Sequence, residues 1–294
     1  MSNAVSRLRA ACLSGNAARP YLDRGTSHKA RCERCRLAPS HCMCALRPQL
    51  STHAGVCLIM AEFEPLKPSN TGWLVADVVR DTWAFAWSRL AVDPALPALL
   101  GDPQWQPWLV FPGEFAAPAR VVTGLPGVDV DVDDGAAGRR PLFVLLDGTW
   151  SEARKIFRKS PYLDRLPVLS LESDRRSRYR LRRSSHDHHF CTCEVAASCL
   201  ALAGEEQAAQ TLEAYLDVFS ERYLRARQSV APDADDAAHR RLRALAEACA
   251  PGTAPAAARG GAGAAQLQVS VAKPLPAPAT AGSEALTQAG SCGV

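Results

Sequence analysis

Cys32, Cys35, Cys42 and Cys44 follow the spacing C-x2-C-x6-C-x-C, four thiols within thirteen residues. A two-residue gap brings two sulfurs to one tetrahedral zinc at about 2.3 Å, and the second tight pair completes the set. Arg31, Arg34 and Arg36 flank the cysteines and favour the thiolate form that binds metal. Four cysteines leave no open coordination position, so the expected role is structural rather than catalytic. His41, beside Cys42, has the chemistry to replace one ligand, although an exposed loop histidine is the plainer reading. The other seven of the eleven cysteines, Cys191 and Cys193 among them, read as small buried hydrophobes.

A second group of polar residues sits at the ends of apolar runs. Leu142 to Leu146 ends on Asp147, turns through Gly148, and enters a helix that Thr149 or Ser151 can cap, with Trp150 and Arg154 following. Asp147 either completes the turn or offers a carboxylate at a crevice edge. After Val56 to Met60 comes Glu64-Pro-Leu-Lys67-Pro-Ser69-Asn70-Thr71-Gly72, more hydroxyl and amide groups than one helix cap requires. Phe111-Pro112-Gly113 follows a third run, and Ser177, Arg178, Tyr179, Arg180, Leu181, Arg182 and Arg183 set an aromatic among cations.

These last residues belong to an uneven charge distribution. From Arg154 to Arg183 there are eleven Lys/Arg against three acids, net +8 in a chain whose total is +4, so the remainder carries −4. Arg154, Lys155, Arg158, Lys159, Arg175, Arg176, Arg178, Arg180 and Arg183 are the candidate phosphate contacts. A solvated basic loop is the plain alternative. His186-Asp187-His188-His189 has metal-binding residue types, but adjacent positions rarely converge on one ion and a polar loop is expected there.

The elements that must position these groups follow from the hydrophobic pattern. Val56 to Met60, Ala84 to Trp87, Trp108 to Phe111, Leu142 to Leu146 and Val168 to Leu171 are short, nearly continuous apolar runs, the mark of strands buried on both faces. Helices are expected over Gly72 to Arg80, Ser151 to Ser160, Glu194 to Ala203 and Glu205 to Arg227. In the last of these Leu212, Tyr215, Leu216, Phe219, Tyr223 and Leu224 recur at helical spacing as a core face. Alternation of this kind implies an α/β domain with a mainly parallel sheet, in which ligands sit at the carboxyl ends of the strands. Four segments are expected: residues 1–50 with the four-cysteine zinc site, 51–228 as the α/β domain, 229–250 as a helical extension, and 251–294 as a disordered tail. That tail holds 13 Ala, 7 Gly and 5 Pro in 44 positions with no aromatic. Residues 129–134, four acids in six positions, read as a solvated loop. No apolar run approaches a membrane span, no secretory leader is evident, and a cytoplasmic protein is expected.

Four motifs in this order, Cys32-x2-Cys35-x6-Cys42-x-Cys44, Glu64 to Gly72, Asp147-Gly-Thr-Trp150-x2-Ala-Arg154 and Ser177-x-Tyr179-x-Leu181-Arg182, resemble the DTW-domain family over about residues 1–228. With runs such as Arg158-Lys-Ser-Pro-Tyr-Leu163, the chain resembles that family's bacterial tRNA-uridine aminocarboxypropyltransferases. The resemblance implies a fold related to the knotted SPOUT methyltransferases, S-adenosylmethionine as donor, and tRNA as partner. It also implies 3-(3-amino-3-carboxypropyl)uridine as product. By motif, Ser69, Asn70, Thr71, Gly72, Phe111, Pro112, Gly113, Ser177, Tyr179, Leu181 and Arg182 would hold the donor. Asp147, Thr149, Trp150 and Glu64 would form the catalytic set.

In that reaction uridine N3 must lose a weakly acidic proton, for which Asp147 is the first candidate base and Glu64 the second. Trp150 would pack on adenine or wedge the loop. Arg180 or Arg182 would pair with the donor carboxylate or with tRNA phosphate. Trp73 departs from the basic or polar residue expected after Gly72, and neither the acidic insert nor the tail has a family counterpart. Two other classes fit parts of the pattern: a knotted tRNA methyltransferase, and a zinc-ribbon RNA-binding protein without chemistry.

Overall fold

The computed structural model describes residues 2–14, 30–125, 138–171, 177–179, 181 and 190–248. Every residue of β1 (Gly55–Met60) is buried, as a continuous apolar run in a sheet covered on both faces requires. β1 pairs in parallel with β2 (Thr82–Ala86) on one side and with β5 (Arg140–Asp147) on the other. β5 pairs with β3 (Trp105–Val110), and β6 (Val168–Leu169) and β4 (Val121–Val122) complete the order β2-β1-β5-β3-β6-β4. All pairings among these strands are parallel, as the alternating pattern implied.

Helices cover both faces. Side chains alternate along a strand. Val56, Leu58, Met60, Phe143 and Leu145 therefore join one core with α1 (Ala4–Ser14), α2 (Gly72–Val78), α5 (Thr192–Leu202), α6 (Glu206–Gln228) and α7 (Ala237–Ala248). Cys57, Ile59, Leu142 and Val144 join the other with α3 (Ala95–Gly101) and α4 (Trp150–Lys159). Cys35, Leu37 and Met43 of the cysteine segment lie in the first core, as does Leu242 of α7, so the N-terminal segment, the sheet and the helical extension share one interior. Leu212, Tyr215, Leu216 and Phe219 of α6 are buried as the helical spacing requires. Among the described residues, no helix is long and apolar enough to cross a membrane.

The chain leaves β1 through α2 toward β2, and leaves β5 through α4 toward β6. These connections depart on opposite sides of the β1/β5 pair, which is the switch point where open parallel sheets form their ligand crevice. Register puts Met60 opposite Asp147, so both strands end there together.

The five expected strands form, with β2 starting earlier, at Thr82, and β6 shortened to two residues. β4 is equally short, below the length at which periodicity is readable. α3 carries Pro97 in its interior and so lacked a helical signature. The acidic insert 129–134 and the tail 251–294 lie outside the described residues.

Candidate functional site

The polar run after β1 begins with a single 3-10 turn, Glu64–Leu66, in which Glu64, Pro65 and Leu66 are all buried. Lys67 Nζ forms an ion pair with Glu64 Oε2 and lies 4.0 Å from Glu152 Oε2, so one cation spans the loops after β1 and β5. Asn70, 1% exposed, donates from Nδ2 to Asp147 Oδ2 at 2.7 Å and to Glu64 Oε1 at 3.3 Å. Its Oδ1 accepts from Trp73 N at 3.0 Å, which fixes the amide orientation at the start of α2. The two candidate carboxylates, separated in sequence by most of the sheet, are therefore joined through one amide.

Asp147 is 3% exposed and also accepts from Thr192 Oγ1, 2.6 Å from Oδ1. Thr192 opens α5, where Cys191 is the N-cap and Glu194 closes the capping box. Glu194 does more than cap. Its carboxylate accepts from Cys191 N at 2.8 Å, Ser177 Oγ at 2.8 Å and Arg178 N at 2.5 Å, which fastens the 177–179 segment to α5. Tyr179 then donates from its hydroxyl to Ser69 O at 2.5 Å, and Leu181 packs against the first core. Thr71 Oγ1 accepts from Cys193 N at 3.4 Å. Gly72 has no room for a side chain, since a Cβ there would sit 2.6 Å from Asp147 Oδ2. Three of the sequence motifs thus meet at the β1/β5 switch point.

Thr149 is the N-cap of α4: its Oγ1 accepts from Glu152 N at 3.4 Å, and Glu152 Oε2 accepts from Thr149 N at 2.7 Å. Trp150, 38% exposed, stacks on Phe111 with centroids 5.4 Å apart and planes 9° apart, and Phe115 meets it edge-on at 5.7 Å. Gly113 N donates to Ser170 Oγ at 3.0 Å, and a Cβ on Gly113 would meet Val121 Cγ1 at 2.8 Å. The Phe111 ring is itself buried between Trp150 and Phe157, whose centroid lies 4.5 Å away, so at this end of the sheet Trp150 is the exposed aromatic.

On α4, burial of Ala153, Ile156 and Phe157 leaves Lys155, Arg158 and Lys159 exposed, with Arg154 half-buried over the Phe115 ring at 4.9 Å. Arg178 faces α6 instead, paired with Asp217 Oδ2 at 2.5 Å and with Glu213 Oε2 at 3.7 Å. Arg175, Arg176, Arg180, Arg182, Arg183 and the histidines at 186, 188 and 189 lie outside the described residues.

The four cysteines converge. Cys32 Sγ lies 3.6 Å from Cys44 Sγ and from Cys42 Sγ, and Cys35 Sγ lies 3.8 Å from Cys42 Sγ. All four sulfurs fall within 4.8 Å of one another. A tetrahedron with bonds near 2.3 Å has edges of about 3.8 Å, so the cluster fits a metal of that size. Burial pushes Cys32 up, but the backbone N–H groups of Cys35 and Arg34 and neighbouring thiols outweigh it and bring it down to about 7. Burial pushes Cys35 up to about 11, and Cys44 is also raised by burial. His41 is not the exposed loop residue its sequence position suggested. It is 6% exposed, with Ser40 Oγ 2.9 Å from Nδ1 and Val230 O 2.8 Å from Nε2, and stands apart from the thiol cluster.

Four residues escaped the sequence reading as site members: Thr192, Glu194, Lys67 and Arg36. Arg36 sits at φ 63° directly after Cys35 and is 3% exposed. It donates to Pro65 O at 3.0 Å and to Asn70 O at 3.3 Å, over the Trp73 ring at 4.3 Å. Burial and the facing Arg9 charge bring its guanidinium down to about 9, while Glu64, Asp147 and Asp77 oppose that fall. Trp73, the departure noted in the sequence, is thus a buried partner for Arg36. Cys191-x-x-Glu194 before an apolar helix is a capping pattern, and reading it would have placed Thr192 at the helix start.

The family model for the DTW domain matches residues 29–224 of the chain. Among curated proteins, tRNA-uridine aminocarboxypropyltransferase 2 of Drosophila melanogaster is 34% identical over 118 residues, which cover 40% of this chain. The match spans 41% of that relative's length. No solved structure matches the chain.

Proposed function

The chain belongs to the DTW domain family, and from that premise we propose that it is a tRNA-uridine aminocarboxypropyltransferase. It would transfer the 3-amino-3-carboxypropyl group of S-adenosylmethionine to N3 of a tRNA uridine and release methylthioadenosine. Support comes from the family membership, from the name of the fruit-fly relative, and above all from one contact. Asn70 joins Asp147 to Glu64 at the sheet's switch point, where a base beside a bound nucleotide would have to stand.

The sulfonium donor supplies an electrophilic carbon and a neutral thioether leaving group; the protein's own residues supply proton transfer and aim. Asp147 takes the N3 proton as nitrogen forms its bond to carbon and the carbon–sulfur bond breaks. Asn70 and Thr192 hold its two oxygens in place from opposite sides. Glu64, paired with Lys67, fixes the other side of Asn70 and is not the first choice of base. Ser69, Asn70, Thr71, Gly72, Phe111, Pro112, Gly113, Ser177, Tyr179, Leu181 and Arg182 are the donor-binding set by motif. Beside them Trp150, 38% exposed and backed by Phe111, would offer its ring to the adenine. A carbon in the amino-acid arm is attacked in preference to the less hindered methyl only if the arm is held in one pose, which the fastening of 177–179 to Ser69 and Glu194 serves.

The cysteine set fits zinc, and its closed ligation makes that ion structural. The tRNA substrate and the cytoplasm as compartment follow from the same proposal. The assay is direct: protein, tRNA and S-adenosylmethionine are incubated and the nucleoside product is read. Methylthioadenosine with modified uridine is expected. S-adenosylhomocysteine in its place would make the protein a methyltransferase, and tRNA binding with neither product would make it a binding protein.

A further inference from the structure

A cationic cavity adjoins the Glu64 to Gly72 loop. It has a volume of about 220 Å³ and is lined by Arg9 from α1, by Arg31, Cys32, Glu33 and Arg36 from the cysteine segment, and by Leu66 and Pro68 from the loop itself. Among the described residues that line it, three guanidiniums from two separate stretches of chain share one space with one carboxylate, Glu33, at its exposed rim. Arg31 Nη1 donates to Arg36 O at 3.1 Å, which aligns the two residues along one wall. Arg36 forms the buried floor. Two of its nitrogens are used on Pro65 O and Asn70 O, while Nε is buried with no hydrogen-bond partner.

From this arrangement we propose an anion site that holds a backbone phosphate of the RNA substrate beside the loop carrying Asn70 and Glu64. The chemistry matches. Convergent arginines are the residues of choice for phosphate, being always charged and carrying forked donors. The buried Arg36 Nε, which has no hydrogen-bond partner, is the donor that such an anion would satisfy. Exposure of Arg31 at the mouth favours a polymer phosphate arriving from solvent over a small ligand enclosed within the crevice. Pro68 and Leu66 line the cavity while Asn70, two residues on, holds Asp147, so the phosphate and the reacting base would adjoin the same loop. The site rests on the tRNA reading given above but uses none of the residues assigned to the reaction.

The test uses full-length, zinc-loaded protein and the double variant Arg9→Gln/Arg31→Gln, leaving Arg36 in place. We expect tRNA binding about tenfold weaker, the size of one lost charged hydrogen-bonded contact. The slope of log affinity against log salt should become shallower by about one, with zinc content and donor affinity unchanged. Unaltered affinity and slope would overturn the site. A fall in zinc content with no change in slope would assign the arginines to the thiolates, and a fall in donor affinity alone would assign the anion to the donor carboxylate; either result also overturns it. A parallel titration with inorganic phosphate separates the site from the reaction. Weaker phosphate binding in the variant, with no aminocarboxypropyl product from wild type, would retire the enzyme reading and keep the site.

Discussion

Asn70 donates to Asp147 across 77 residues of sequence, 2.7 Å from Nδ2 to Oδ2, at the point where β1 and β5 end side by side. The same amide reaches Glu64, and the opposite oxygen of Asp147 is taken by Thr192. A carboxylate buried to this extent is tolerated because each oxygen has a donor. The donors also restrict where its lone pairs point, which is what a base needs.

Asp147→Asn tests that role. The substitution keeps shape: its oxygen still accepts from Asn70 Nδ2 and its amide can donate to the Thr192 hydroxyl, so the stability cost should not exceed about 1–3 kcal/mol. Turnover should fall by about 10²–10⁴-fold, the usual contribution of a positioned base, with donor affinity largely retained. Single-turnover product formation and calorimetric donor binding read the two effects separately. Near-normal turnover would remove Asp147 from the reaction.

Gly72→Ala tests the aim of the carboxylate without altering it. Alanine loses less backbone freedom than glycine on folding, so at the first position of α2 the helix itself should not be weakened. The new Cβ would nevertheless sit 2.6 Å from Asp147 Oδ2 and 3.3 Å from Leu58 Cδ1. Displacement of the carboxylate by even about 1 Å costs on the order of 10²-fold in rate. A folded variant with strongly reduced kcat is expected, and full activity would show that Asp147 moves freely.

The strands and their terminal carboxylate were legible because both rest on local pattern. Val56 to Met60 and Leu142 to Leu146 are apolar at every position, as only a doubly covered strand need be, and Asp147 ends such a run. The residues that hold Asp147 were not legible, because each is close to it only in three dimensions. Thr192 lies 45 positions away and looked like one more polar residue between cysteines. Arg36 looked like a charge flanking a metal site. Its burial depends on a left-handed backbone at φ 63° and on Trp73, whose own identity had looked like an anomaly. A single sequence separates an exposed arginine from a buried one only when the partner is known.

Metal binding should be coupled to pH through the thiols. In the metal-free protein Cys32 ionises at about 7, whereas Cys35 ionises at about 11 and Cys44 is also raised. Because metal takes thiolates, affinity rises with pH across the window from about 7 upward and falls as protons compete below it. At pH 8 uptake should release at least two protons, those of Cys35 and Cys44. Calorimetry in buffers of different ionisation enthalpy counts them, and a pH-independent affinity would exclude thiolate ligation.

Arg158→Gln/Lys159→Gln tests whether α4 presents its charge to RNA. Both side chains are exposed, opposite the buried Ile156 and Phe157, so the core should be untouched. They also sit in the last turn of α4, where cations favour the helix dipole, and their loss should lower stability by only about 0.3–1 kcal/mol each. If each neutralises one phosphate, the slope of log tRNA affinity against log salt should become shallower by about two, one for each lost charge. Filter binding across a salt series measures it with donor affinity as the control. An unchanged slope would confine the RNA footprint to surfaces other than α4, because exposed cations that touch phosphate cannot be removed without releasing fewer counterions.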